Sequence, residues 1–192
     1  MERHGRIIII ALGESIVAIG VGAAGLGLGP GVILASCFGI ALAASLWWAY
    51  FDYVVLAAER RLSGAPIHER ARLARDSYSY LYLPMAAGIV FVALGVKNTL
   101  AHVGDPLATI PAVALCGGVA LYLFGHNAFR LRDTGSISVP RLVTTILCIS
   151  LIPVAVSVPA LVTLAILAAL LAALAAFETL YWREGPSETH AP

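Results

Sequence analysis

Charge is what this sequence is short of. Only 12% of its 192 residues are Asp, Glu, Lys or Arg, where a soluble globular domain carries about 25%. So few charges cannot cover a water-exposed surface, which excludes an ordinary soluble domain. The net charge of +1 excludes the broad basic field that a nucleic-acid partner needs. Lysine is nearly missing, with Lys97 alone beside eleven arginines. Cysteine is scarce as well. Cys37, Cys116 and Cys148 each lie in an apolar run without CxxC or Cys/His spacing. They read as small hydrophobes, not as metal ligands or redox pairs. No Walker loop, GxSxG or HExxH is present, so the sequence carries no enzyme signature. The GLGLG run at Gly25–Gly29 follows an apolar run rather than a strand, which rules out a dinucleotide fingerprint. No cofactor is implied.

What is present is hydrophobicity: 60% of the residues, with mean hydropathy +0.90. A transmembrane helix takes about 20 mostly apolar residues, and six runs approach this, at about 7–26, 31–58, 77–96, 106–129, 142–159 and 160–182. The expectation is an all-α polytopic bundle, a single domain of about six transmembrane helices. Pro153 and Pro159 are expected to kink or end the fifth run. With the runs drawn this way, all basic residues but Lys97 fall on one side. The positive-inside rule makes that side cytoplasmic and puts both termini there. The bacterial plasma membrane is the expected location and the bilayer the first partner. The segment Glu59–Asp76 reads as a short amphipathic helix or linker whose arginines hold it inside, or attract anionic lipid. Gly13, Gly20 and Gly27 are seven apart, and Ala168, Ala172 and Ala176 four apart. Such stripes let helix backbones approach in lipid.

Ionisable groups inside spans carry the candidate chemistry, because burying them in a bilayer is costly. Glu14 lies roughly 10 Å into the first run at 1.5 Å per residue. Asp52 and His126 reach a similar depth on the second and fourth. Asp76 and Tyr80 open the third run on the same side, and Arg130 follows the fourth. Burial raises a carboxylate's pKa and a nearby cation lowers it, so a balanced cluster exchanges protons near neutral pH. The plainer reading is that these groups pair and pin helices together. Glu14 is expected to face the bundle interior, with Asp52, His126 or Arg130 as partner. Trp47 and Trp48 beside Asp52 read either as interfacial anchors or as cation-contacting aromatics.

Four blocks, IALGESIVAIG (Ile10–Gly20), LWWAYFD (Leu46–Asp52), ARDSYSYLYLPMAAGIV (Ala74–Val90) and CGGVALYLFGHNAFRLR (Cys116–Arg132), resemble the bacterial low temperature requirement A family. The resemblance implies a multi-pass membrane protein and brings no demonstrated role for Glu14, Asp52, Asp76 or His126. It also implies only the C-terminal half of the family's architecture, since members are typically about twice as long with the GES block mid-chain. A homo-oligomer or a second half-protein is therefore the expected partner. Two functions remain: a proton-coupled carrier of a small solute or ion, linked to growth at low temperature or under stress, or a non-transporting accessory or stress-adaptation subunit.

Overall fold

The computed structural model describes residues 2–24, 27, 29–50 and 67–183, with side chains for 8–24, 27, 29–50, 83–132 and 135–180. Among these residues six helices follow one another. They are α1 (Glu2–Ala24), α2 (Pro30–Tyr50), α3 (Ile67–Ala101), α4, α5 (Val139–Ser150) and α6 (Ala160–Arg183). α4 is one rod in three parts: Thr109–Ala112, a π turn at Val113–Gly117, and Gly118–Thr134. A further turn of helix, Ile152–Ala155, follows α5.

Four stretches are long and apolar enough to cross a bilayer: Pro30–Tyr50, Leu83–Ala101, Thr109–Arg132 and Ala160–Leu180. Ile8–Ala24 and Val139–Ala155 are shorter apolar helices. One expected boundary needs correction. α3 begins at Ile67 rather than Ser77, so the second half of the Arg-rich segment continues the helix. Its Arg, Ala, Leu and Glu residues are good helix formers, and nothing between Ile67 and Asp76 interrupts them. The fifth run breaks at Leu151, just before Pro153, which has no N–H for the ladder. The proposed continuation of the second run to Ala58 lies outside the described residues.

Each helix buries one stripe and turns another outward. α1 buries Ile8, Leu12, Ser15 and Ile19, while Ile10, Val17 and Val21 are exposed. α3 buries Met85, Ile89, Val92, Val96 and Leu100, while Leu83 and Val90 are exposed. Large apolar residues on the outside suit hydrocarbon, where they cost nothing. Lipid also removes the hydrophobic drive between helices, so close packing has to hold them together. α3 and α4 supply it through two pairs of glycines seven apart. A Cβ at Gly88 would stand 2.7 Å from the Gly118 carbonyl oxygen, and one at Gly118 2.8 Å from that of Gly88. Leu115 fills the space beside Gly95, and Met85 the space beside Gly125. The stripe expected to do this work does not. Gly13, Gly20 and Gly27 have nothing within 4 Å of an added Cβ. Of the alanine stripe only Ala168 is buried; Ala172 and Ala176 are exposed.

At the Lys97 end, two loops are tied to each other. The Ala160 amide donates to the Asp105 carbonyl (2.9 Å), the Leu107 amide to that of Ala155 (3.2 Å), and Pro106 bridges to Pro159. The opposite end of α4, α5 and α6 holds the buried His126, Asn127 and Arg141.

A buried histidine, arginine and glutamate

α4 ends at Gly135, whose φ of 67° is the left-handed conformation that closes a helix. Four residues, Gly135–Ser138, then turn the chain into α5. The turn is fixed from α4, because the Ser138 amide donates to Asn127 Oδ1 at 3.1 Å. This short connection brings Arg141, on the first turn of α5, back against His126 on α4. Glu178 arrives from the last turns of α6.

The three side chains form one network. Arg141 donates from Nε to Glu178 Oε1 at 2.6 Å and from Nη2 to Oε2 at 2.8 Å. This two-pronged geometry is the strong form of the arginine–carboxylate pair. Arg141 Nη1 lies 2.9 Å from His126 Nδ1. Arginine only donates, so Nδ1 is the acceptor, the imidazole is neutral, and its hydrogen sits on Nε2. The arginine and glutamate side chains are 3% and 11% exposed, and His126 is fully buried.

Two tyrosines wall the imidazole. The Tyr122 ring, one turn earlier on α4, lies 4.7 Å from it between centroids, and Tyr50 at the end of α2 meets it edge-on at 6.5 Å. Tyr122 also donates its hydroxyl to the Leu46 carbonyl on α2 at 2.6 Å. Helices α2, α4, α5 and α6 therefore converge on one histidine. Its Nε2 is buried with no hydrogen-bond partner. Native structures rarely leave such a donor unmatched.

A family model, the bacterial low temperature requirement A protein, matches residues 1–176. The chain belongs to that family. It is also 32% identical over 125 residues to an uncharacterised protein, RA0937, of Rhizobium meliloti (strain 1021). That match takes in 65% of this chain and 30% of the relative, so the chain spans under a third of the length of the curated protein it matches. No solved structure matches it.

In this family member the expected site residues separate. His126 is at the centre of this network. Glu14 is not: it lies on the exposed face of α1 beside Gly13, rather than in the interior with His126 or Arg130. The buried stripe Ile8, Leu12, Ser15 and Ile19 occupies the other side of that helix. Arg130 donates from Nε to Ser136 Oγ at 3.2 Å, in the turn between α4 and α5. Trp47 and Trp48 are exposed. Asp52 lies outside the described residues. Asp76 and Tyr80 lie on α3, and their side chains are outside the description. Arg141 and Glu178 were missed. Both had a signal: Glu178 is the one acidic residue in the last apolar run, and Arg141 stands at the edge of the fifth.

Proposed function

We propose that this protein is a proton-coupled carrier of a small solute or ion in the bacterial plasma membrane, with His126 as its proton-carrying group and no catalytic role. The observation that carries the reading is the unmatched Nε2–H of His126 in a fully buried ring. An unsatisfied buried donor costs about 1–3 kcal/mol. A residue that only pinned helices together would gain nothing from this cost. A residue that hands its hydrogen to water or to a passing acceptor needs such a free position. The arginine-rich ends of α3, α4 and α6 supply the orientation, with that side cytoplasmic by the positive-inside rule.

The accessory-subunit reading is favoured by the tight α3–α4 glycine contact and the closed Arg141–Glu178 pair, both of which suit a static bundle. Purified protein in liposomes loaded with a pH-sensitive dye separates the two. Under an imposed pH gradient, the carrier dissipates protons with a transported solute present, and His126→Gln abolishes this while keeping thermal stability. Wild-type vesicles that hold the gradient as empty ones do, across solute classes, would leave the accessory reading standing.

A further inference from the structure

We infer that Arg141 is a proton-operated latch between α4, α5 and α6, and that the arrangement described above is its proton-free, closed state. The inference rests on reading His126 as the proton-carrying group. Its own support is the way one guanidinium is divided. Two of its nitrogens hold both carboxylate oxygens of Glu178, and a third donates to His126 Nδ1. That last bond exists only while Nδ1 has a lone pair to offer. A proton arriving at Nδ1 replaces the acceptor with a second donor and sets an imidazolium against a guanidinium. The contact cannot survive, so α5 loses its Arg141 hydrogen bond to α4 while Arg141 keeps its carboxylate on α6.

The other groups around the ring do not offer the same exchange. Tyr50 comes from α2 and Tyr122 from α4 itself, both through their rings. Glu178 on α6 is reached through Arg141, which engages both its oxygens. Among the described residues, α3 meets α4 at this level through Met85 against Gly125. Protonation therefore acts on one bond, 2.9 Å long, at the start of α5. The neighbouring backbone tie, Ser138 N–H to Asn127 Oδ1, is what the release loosens. Arg141 is thus a positioning residue that fixes the histidine's hydrogen on Nε2.

Hydrogen exchange of residues 135–145 in the full chain in nanodiscs tests this between pH 8 and pH 5, corrected for the intrinsic pH dependence of exchange. The wild type should lose at least about tenfold of its protection on acidification, since a hydrogen bond to a charged group is worth that much or more. His126→Asn still offers an oxygen to Nη1 at the place of Nδ1 but takes no proton, so it should stay protected at both pH values. Arg141→Lys cannot serve both partners and should lose protection at pH 8. Nitrogen-15 spectra of wild-type imidazoles guard against a variant that fails to fold. The His126 signal should show an Nε2–H neutral ring at pH 8, and should titrate with the same midpoint as the loss of protection. A His126 that does not titrate in this range, or protection that is unchanged when it does, overturns the latch. So does an unaltered pH response in folded His126→Asn. A latch that opens as described in a protein that moves no protons through liposomes would remove the carrier reading alone.

Discussion

Removing the carboxylate of Glu178 while leaving Arg141 in place tests how the buried network contributes to stability. The arginine side chain is 3% exposed and the glutamate 11%. Breaking a buried pair by deleting one partner costs about 3–5 kcal/mol, because the remaining charge is stranded. Interhelical polar contacts in membrane bundles are worth less, about 0.6 and at most about 1.7 kcal/mol. Those values are averages over polar contacts, whereas this pair carries a charge on a side chain only 3% exposed. Glu178 lies near the end of α6 and keeps some access to water, so the low end of the larger range applies. Glu178→Leu should cost about 3 kcal/mol, or a fall of about 6–12 °C in Tm for a chain of this size. Arg141→Met should cost about as much. The double variant strands no charge of this pair and leaves His126 Nδ1 without its donor, at about 1 kcal/mol. It should therefore be more stable than either single variant. Cys116 and Cys148 are buried and Cys37 is exposed, so a thiol-reactive fluorophore on a Cys37→Ser background reports unfolding in mild detergent. Single variants within about 2 °C of the parent, or a double variant as damaged as the two singles combined, would show that the pair is not the stabilising unit.

The same assay separates the two sets of glycines. Gly88→Ala pushes a methyl group against the Gly118 carbonyl and should cost about 1–3 kcal/mol. Gly13→Ala meets nothing within 4 Å and should stabilise by up to about 1 kcal/mol through helix propensity. Glu14→Leu alters an exposed position and should leave Tm within about 2 °C, since surface changes rarely exceed about 0.5 kcal/mol. A large loss there would show that α1 buries this face in the detergent-solubilised protein.

The helices were legible because a bilayer demands long apolar runs, and nothing else in a sequence produces them so cleanly. Their ends were less so. A run of hydropathy stops where the lipid stops, but a helix does not, and α3 extends back through Arg75, Arg72 and Arg70 to Ile67. The site was half legible. His126 drew notice as an ionisable group in an apolar stretch. Arg141 looked like one more topological charge, since only the four-residue turn at Gly135–Ser138 folds it under α4. Glu178 is far from both in sequence, and its role depends on α6 ending beside α5. Seven-residue glycine spacing occurs on α1, α3 and α4 alike. Spacing shows that a face is flat, and only the fold shows whether another helix fills it.

The π turn at Val113–Gly117 has a consequence for how α4 tolerates changes in length. A π turn holds one residue more than the α ladder around it requires. Deleting one residue between Val113 and Gly117 would let the hydrogen bonds close in ordinary α register. Gly118 and Gly125 would still meet α3, and His126 would still meet Arg141. The rim at Thr109–Ala112 would keep its facing, because the π turn spans nearly the same rotation as an α turn with one residue fewer. A codon lost there is absorbed within the turn, whereas a codon lost between Gly118 and His126 turns the histidine away from its arginine.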